Sequence, residues 1–356
     1  MFKSGIILDN KYKLISPLGR GGFGEVWLAA DLLLNITVAL KIIPSELDEV
    51  VKNLKEAIIG HKFDHTNLIK IFNAEIILYK DSSGENKALT LIAEEYHKNG
   101  TIKSLLNSHN FIASNVLIQL LEGVLLGLEH LHANGVYHND IKPANILIDN
   151  NGNAVLSDYG ISGVSKSMLP IQPDNFYLLH AAPETIKNNL IDQTTDIYQL
   201  GCTAFRLANG LDQLNPVLKS GSSADLYQSK IAFDAKFINK YYPLKLARII
   251  QKAMAPKESR FPSALEMRRE LERLNFEGYW SDDPNNSNDL AGFCHNYIFR
   301  YSITNQGKLH KFDATKQNIN TNKLTHIGKF CRKNLSTAEC RKMEKQYINC
   351  VIEGNV

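Results

Sequence analysis

The stretch that decides the fold is VYHNDIKPANILI, residues 136–148. It holds Asp140, a Lys two residues later (Lys142) and an Asn five residues later (Asn145). A carboxylate base, a cation facing a phosphate and an amide ligand for a metal ion form the set that phosphoryl transfer requires. The stretch therefore predicts a loop that carries this chemistry.

Two motifs follow this loop. Asp158 in Asp-Tyr-Gly offers a second carboxylate for Mg²⁺, and the run Ala-Pro-Glu that ends at Glu184 closes the next segment. A single Asp is more often a turn former than a ligand. Several ordered elements at workable spacings favour the functional interpretation.

A glycine-rich stretch, LGRGGFGEV at residues 18–26, lies between two predicted strands. Gly19, Gly21 and Gly24 would let backbone amides approach phosphate oxygens without a Cβ in the way. A dinucleotide-binding loop would lead into a helix instead, and a P-loop would end in Gly-Lys-Ser/Thr. Taken alone, the stretch is equally compatible with a hairpin that binds nothing.

A single Lys, Lys41, ends the apolar strand motif Val-Ala-Leu-Lys. A lone strand Lys is usually a surface residue, but this motif corresponds to the one whose Lys holds the α- and β-phosphates of ATP. Glu56 lies on the helix predicted between Glu46 and Lys62 and is the natural ion-pair partner. A helical Glu is normally solvated, and only the order of the motifs selects this one.

With these motifs in order, residues 12–274 resemble the eukaryotic-like (Hanks-type) serine/threonine protein kinase family. The segment around residues 255–264 looks most like bacterial or phage members. The resemblance implies an α+β, bilobal fold with a β-rich N-lobe and an α-helical C-lobe, and transfer of the ATP γ-phosphoryl group to protein substrates. ATP and Mg²⁺ are the implied cofactors.

The resemblance also assigns roles to residues. Asp140 is implied as the catalytic base, Lys142 as the cation on the transferred phosphate, and Lys41 with Glu56 as an ion pair. The remaining implied contacts are Asn145 and Asp158 to Mg²⁺, Gly19, Gly21 and Gly24 over the phosphates, Leu18, Val26, Ala39 and Leu147 around the adenine, and Glu95 and Tyr96 at the hinge. Two structural roles are implied as well: Asp196 bracing the catalytic loop, and Arg260 pairing with Glu184.

Three residues depart from the family pattern. Asn139 stands where many members have an Arg that binds an activation-segment phosphate. Tyr177 replaces a Thr that is usual in serine/threonine kinases, which weakens the choice of acceptor. Glu94 aligns with the gatekeeper, normally apolar or Thr, where a buried carboxylate needs a partner or a raised pKa. A register slip of one residue is the alternative.

The absence of Arg at position 139 bears on regulation. The activation segment, residues 158–184, contains no Thr. The only cation in the part of it that carries the serines is Lys166. A phosphate there would find little to order it. We therefore expect activity that does not require phosphorylation of this segment.

The predicted domain organisation is an N-lobe at 1–93, a C-lobe at 94–275, a linker at 276–289 and a small basic domain at 290–356. The stretch SDDPNNSND at 281–289 is polar and turn-forming, which is typical of a linker. A hairpin is predicted from Tyr297 to Phe312. Ser336 and Glu339 form a capping-box pattern that predicts a final helix.

Charge is concentrated in the tail. Residues 276–356 hold 11 Lys or Arg against 8 Asp or Glu, while the first 275 residues are neutral within a total of +3. The basic tail is a candidate for docking a partner or, less favoured, nucleic acid. A solvated basic face is the simpler alternative.

Cysteine use and apolar runs bound the remaining classes. The chain has five Cys, and the four in the tail form no Cys-x-x-Cys pair, which disfavours structural zinc. The run 116–131 is interrupted by polar residues, so no membrane span is expected, and residues 1–7 lack a secretory pattern. A cytoplasmic protein is expected. A nucleotide-binding pseudokinase remains the rival class, although every phosphotransfer residue is present.

Overall fold

The computed structural model describes residues 2–21, 24–45, 54, 58, 60–80, 84, 86–158, 163–165, 167–219, 225, 227, 230 and 239–356. Within them an N-terminal sheet is followed by a helical region and then by a second sheet with one helix. This order confirms the predicted α+β, bilobal fold with a small C-terminal α+β unit.

The N-terminal sheet has six antiparallel strands in the order β1-β2-β3-β4-β6-β5. Their bounds are β1 Ile7–Leu8, β2 Tyr12–Gly21, β3 Gly24–Asp31, β4 Ile36–Ser45, β5 Ile71–Lys80 and β6 Asn86–Glu95. The alternate side chains Val38, Leu40 and Ile42 of β4 are buried in one core with Trp27 and Leu91. Because side chains alternate along a strand, the intervening residues of β4 face the other side of the sheet.

The sequence predicts strands within residues 12–18, 26–30, 37–43, 68–77 and 89–93, and a strand is present at each of these places. β2 and β3 pair as far as Gly21 and Gly24, so the glycine-rich stretch is a strand–turn–strand element as predicted. Most residues of the helix expected between Glu46 and Lys62 are not described by the structure. Of the described residues in this range, 54, 58, 60 and 61 are helical.

The helical region is built around α1 (Ser114–Ala133), where residues 116–132 are hydrophobic nearly all round and so predict a buried central helix. Four further helices have both ends within the described residues: α2 (Pro183–Asn188), α3 (Gln193–Asn209), α4 (Leu244–Ala253) and α5 (Ala264–Glu272). Short strands lie between α1 and α2, namely β7 (Val136–Tyr137), β8 (Ile146–Ile148), β9 (Ala154–Leu156) and β10 (Gly163–Val164). α1 packs against α3, α5 and β9, and these contacts place the segment between β7 and β8 beside α3.

In length and apolar composition, α1 meets the requirement for a helix that spans a bilayer. Its Leu117, Leu125, Leu128 and Leu131 side chains are completely buried in the main core of the protein. A helix whose apolar side chains are buried by the rest of the protein in this way is a central core helix.

The C-terminal unit is a sheet in the order β11-β12-β13-β14-β15, with β16 also paired to β14. Its elements are β11 Gly278–Asp283, β12 Asn286–Cys294, β13 Tyr297–Gln306, β14 Leu309–Asn318, β15 Leu324–His326, β16 Arg332–Leu335 and the helix α6 Thr337–Glu353. Trp280, Phe312, Tyr347 and Val351 form the centre of its core between sheet and helix. The predicted hairpin and the capping box at Ser336 are both confirmed.

The predicted linker is wrong, because residues 278–294 form a hairpin in which Trp280 pairs with Gly292 and Asp283 with Asn286. Polar composition misled the prediction: Pro284 and Asn285 make the turn, and the Asp283 carboxylate is held by Arg300. Only residues 273–277 separate the strand β11 from the preceding helix α5.

Polar and aromatic contacts join the C-terminal unit to the helical region. His109 Nδ1 lies 2.7 Å from an Asp282 oxygen, in the loop that precedes α1. Tyr241 packs on Trp280 with ring centroids 5.3 Å apart and shares a 2.9 Å hydrogen bond with the Tyr301 hydroxyl. The unit is therefore fixed to the helical region by both polar and aromatic contacts.

Candidate active site

The two oxygens of the Asp140 carboxylate have different surroundings. Oδ2 accepts hydrogen bonds from Lys142 Nζ at 2.7 Å and from Asn145 Nδ2 at 2.8 Å. Oδ1 is buried, and within the described part of the chain nothing hydrogen-bonds to it. An orphaned buried carboxylate oxygen is costly unless a ligand completes it. One oxygen thus anchors the loop, and the other is available to a substrate hydroxyl.

Asp196, the fourth residue of α3, holds the catalytic loop from below. Its carboxylate is completely buried and accepts the backbone N–H of His138 at 2.9 Å and of Asn139 at 2.7 Å. A third donor, His132 Nε2, lies at 2.8 Å. These charge-assisted bonds give Asp196 the bracing position that the sequence predicted.

Gln199 is a second brace, which sequence reasoning missed. Its Oε1 accepts from the Ile141 N–H and its Nε2 donates to the Asn139 carbonyl, both at 2.9 Å. Gln199 follows Asp196 by three residues, so both side chains lie on the same side of α3. That i,i+3 spacing was the available signal.

His138 is completely buried, and burial lowers the pKa of its imidazole. Its Nε2 faces the carbonyl of Ser157 at 3.1 Å, so the proton lies on this nitrogen. Nδ1 then accepts the Asp140 N–H at 3.2 Å. A neutral ring of this tautomer fixes the backbone at the base.

The β8–β9 hairpin brings the two predicted metal ligands together. Ile146 pairs with Leu156, and the next pair outward is closed by the Ser157 N–H donating to the Asn145 carbonyl at 2.9 Å. Asp158 therefore follows directly beside Asn145. Because Asn145 Nδ2 donates to Asp140, its amide oxygen is the atom left for a metal, and a carboxylate with an amide oxygen suits Mg²⁺.

Lys41 reaches this pair of ligands from β4. Its Nζ lies 3.1 Å from Asp158 Oδ1. Burial acts to raise the pKa of the Asp158 carboxyl, but the Lys41 ammonium, helped by Lys142, outweighs it and lowers that pKa. The predicted ion-pair partner of Lys41, Glu56, lies outside the described residues.

Strand register places the predicted adenine contacts on one face. Val26 pairs with Lys41, and Ala39 pairs with Glu94, so all four share the face opposite the sheet core. The same register puts the Glu94 carboxylate on the cleft side, as expected for a gatekeeper, without the one-residue slip. Leu18 is 44% exposed at this edge of the sheet.

The hinge follows β6. The Glu95 N–H donates to the Lys70 carbonyl at 2.9 Å, so this N–H is not available to a nucleotide. Tyr96 is half-buried beside it, and Leu147 of β8, also half-buried, bridges to Thr101 after the hinge.

The glycines of the loop differ in what they require. A Cβ on Gly24 would lie 2.1 Å from the Ile42 carbonyl oxygen, whereas a Cβ on Gly19 would meet no atom of the described chain within 4 Å. Gly24 is thus needed for packing against β4 as well as for any approach to phosphates. The backbone of Gly21 ends β2 opposite Gly24.

Asn139 makes a contact that the sequence did not predict. It adopts a positive φ of 64°, which Asn tolerates, and its side chain is fully buried. Nδ2 donates to the Asn175 carbonyl at 2.8 Å. The residue that replaces the family Arg therefore ties the catalytic loop to the activation segment directly.

Tyr177 also lies at the catalytic loop. The Lys142 ammonium is 5.0 Å from the centre of the Tyr177 ring, a cation–π distance, and the ring is 5.2 Å from that of His180. Burial lowers the pKa of His180 to about 3, so it is neutral, and its Nδ1 lies 2.7 Å from the Ile141 carbonyl. An aromatic contact thus replaces the hydroxyl expected at this position.

The predicted structural ion pair is present. Arg260 binds Glu184 through two hydrogen bonds of 2.6 and 3.1 Å, and the guanidinium is buried. A bidentate pair of this kind fixes the end of the activation segment to the loop before α5.

Residues 12–268 match the family described as protein kinase domain. The chain is 28% identical over 276 residues to probable serine/threonine-protein kinase PknB of Bifidobacterium longum, covering 74% of this chain and 40% of that protein. It is 29% identical over 210 residues to serine/threonine-protein kinase PrkC of Bacillus subtilis, covering 57% of this chain and 31% of that protein.

A third similar protein is human serine/threonine-protein kinase 16, at 30% identity over 241 residues, which are 62% of this chain and 77% of that protein. The chain thus spans well under half the length of the bacterial relatives and most of the human one. With the match of the domain over most of its length, this chain belongs to the protein kinase family.

Proposed function

We propose that this chain is a serine/threonine protein kinase that uses ATP and Mg²⁺. The observation that carries the proposal is the buried Asp140 carboxylate, one oxygen held by Lys142 and Asn145 and the other without a partner in the described chain. Oδ1 is placed to accept the proton of a substrate hydroxyl as it attacks. Lys142 offers its charge to the transferred group.

Asn145 and Asp158 are the proposed Mg²⁺ ligands, and Lys41 orients the Asp158 carboxylate. Mg²⁺ held by these two residues would offset the negative charge of the phosphates. Gly19, Gly21 and Gly24 would lie over the phosphates, and Leu18, Val26, Ala39 and Leu147, with the hinge at Glu95 and Tyr96, would enclose the base.

The rival function is a pseudokinase that binds nucleotide without turnover. The described phosphotransfer residues are all in place, which favours the enzyme. Autophosphorylation with Mg²⁺ and labelled ATP tests this, with Asp158→Ala as the matched inactive variant. Equal incorporation by both proteins, or none by the wild type, would contradict the proposal.

The proposed acceptors are serine and threonine. Lys142 lies two residues after the base, as in that branch of the family, and the relatives carry serine/threonine-protein kinase in their names. Tyr177 is the one feature against it. Phosphoamino-acid analysis of the autophosphorylated protein decides the point, and phosphotyrosine alone would overturn this choice.

We propose further that activity does not require phosphorylation of the activation segment. Asn139 already holds this segment through the Asn175 carbonyl, a bond that needs no phosphate. Ser165 is buried, and its hydroxyl donates to the Leu169 carbonyl at 2.8 Å, so it is no ready phosphate acceptor.

Ser162 and Ser167 are the serines to replace. We expect the double alanine variant to retain most of the initial rate on one protein substrate, with Ser165→Ala made separately because it loses a hydrogen bond. A double variant more than about tenfold slower, a loss of roughly 1.4 kcal/mol in transition-state stabilisation, would show that a phosphate switch operates.

The C-terminal unit is the proposed docking site for a protein partner or substrate. Two of its basic residues are already paired with carboxylates: Arg300 with Asp283, and Lys311 with Asp313. This pairing makes a continuous phosphate-binding surface for nucleic acid the weaker alternative. A cytoplasmic location is part of the same proposal. Replacing Asp282 by Ala, which loosens the contact with His109, should change the rate on a protein substrate and leave that on a short peptide unchanged.

A further inference from the structure

Three side chains of different chemistry converge on the C-terminal sheet. Asp313, His326 and Cys331 each offer one ligand atom, and these atoms all lie within 4.8 Å of one another. Asp313 and Cys331 are half-buried and His326 is exposed. They are outside the kinase machinery, and nothing in the proposed reaction uses them.

The fold itself produces the convergence. β15 pairs with the second half of β14 and β16 with its first half, and the turn Gly328–Phe330 connects them along one edge. His326 is opposite Thr315, and Arg332 is opposite Phe312. Asp313 lies between these two positions, where β15 gives way to β16.

Alternation assigns the face. Phe312 and Ala314 of β14 are buried in the core beneath α6, so Asp313 and Thr315 point to the opposite, outer face. His326 shares this face through its pairing with Thr315. Phe330 is buried, which anchors the turn and holds the Cys331 backbone next to β14, where its thiol lies 3.5 Å from the Ala314 carbonyl.

We propose that Asp313, His326 and Cys331 bind a transition-metal ion of the Zn²⁺ type. A thiolate, an imidazole and a carboxylate are the three side-chain ligands that Zn²⁺ takes, whereas Mg²⁺ and Ca²⁺ prefer oxygen alone. Three protein ligands leave a fourth tetrahedral position for water. On binding, Cys331 gives up its thiol proton to solvent and ligates as the thiolate.

Lys311 is the charged neighbour that this site must accommodate. Its ammonium pairs with Asp313 Oδ2, so Oδ1 remains as the metal-facing atom. A hydrogen-bonded second group that orients a ligating carboxylate is the usual arrangement around protein metal ions. The Lys–Asp pair therefore orients the ligand without occupying it.

The absence of Cys-x-x-Cys still excludes the commonest zinc spacing, yet this site uses a single Cys. His326 and Cys331 are separated by four residues, and Asp313 comes from a neighbouring strand. The ion would join β14 to the turn between β15 and β16. Its role is to stabilise the edge of the sheet that β15 and β16 form beside β14.

The test uses the full chain and Co²⁺ as a spectroscopic probe for Zn²⁺. Chelator-treated wild-type protein should bind one Co²⁺ per chain and show the intense near-ultraviolet absorption of a thiolate–Co²⁺ bond, and Zn²⁺ should displace it. Cys331→Ser should abolish this absorption, while His326→Ala and Asp313→Asn should weaken Co²⁺ binding by at least about tenfold.

Matched controls are Cys350→Ser, a half-buried Cys of the same unit outside the cluster, and His295→Ala, an exposed His. Both should keep the wild-type spectrum and stoichiometry. Zn²⁺ should also raise the thermal midpoint of the wild type and leave that of Cys331→Ser unchanged. Failure of the wild type to bind one Co²⁺ per chain would overturn the proposal, and this result does not depend on whether any variant folds. A thiolate–Co²⁺ band that persists in Cys331→Ser would overturn it as well.

Discussion

Replacing Asp140 by Asn separates the two roles of its carboxylate. The amide oxygen of Asn can take the place of Oδ2 and accept the same bonds from Lys142 and Asn145. The amide nitrogen then occupies the Oδ1 position, where it is a donor and cannot accept a proton. We therefore expect the fold to be retained and the base to be lost.

The size of the effect follows from this geometry. Loss of a positioned general base costs about 10²- to 10⁴-fold, or roughly 2.7 to 5.5 kcal/mol of transition-state stabilisation. The anchoring bonds survive, so the free energy of unfolding should change by less than about 1 kcal/mol. Initial rates on a protein substrate and urea unfolding of the same samples measure the two quantities.

Asp212→Asn is the matched control, because Asp212 is an exposed Asp of the same lobe. It should leave both rate and stability unchanged. Turnover by Asp140→Asn within a few-fold of the wild type would refute the assignment of the base. A folded but strongly destabilised variant would instead refute the division of roles between the two oxygens.

Three further outcomes follow from the ion pairs. Lys41→Met should abolish turnover and raise the Michaelis constant for ATP, as initial rates across ATP concentrations would show. The pKa of the Asp158 carboxyl is lowered in the folded protein, so its contribution to stability is present above its unfolded pKa of about 3.9 and is lost as the pH falls through the folded pKa. The difference in free energy of unfolding between the wild type and Lys41→Met, measured by urea unfolding, should therefore shrink below about pH 4. Glu184→Gln should lower the free energy of unfolding by about 3 kcal/mol, since it leaves the buried Arg260 without its charge partner, while the exposed Glu258→Gln should not.

The kinase core was predictable because its chemistry is written in consecutive residues. Asp140, Lys142 and Asn145 lie within six positions, and a loop of that length brings them together in the structure. The partners that hold the loop come from α3, more than fifty residues later. Asp196 was placed by the family motif, whereas the only sequence signal for Gln199 was its i,i+3 spacing from Asp196.

Two features were hidden for physical reasons. The hairpin at residues 278–294 reads as polar because its turn and outer positions carry Asn and Asp, while its buried positions are widely spaced residues such as Trp280 and Ala291. The contact from Asn139 to Asn175 joins a side chain to a backbone carbonyl, and no residue type at position 175 announces it.

The aromatic contact between the helical region and the C-terminal sheet bears on how such a chain can evolve. Tyr241 contacts both units: its ring packs at a tilt of 41° against Trp280 of the sheet and lies nearly parallel to Phe111 of the lobe, with centroids 6.4 Å apart. Exchange of the C-terminal unit for an unrelated domain would expose these rings to solvent and leave an apolar patch on the lobe. We therefore expect the two units to be retained together, because each covers apolar rings of the other.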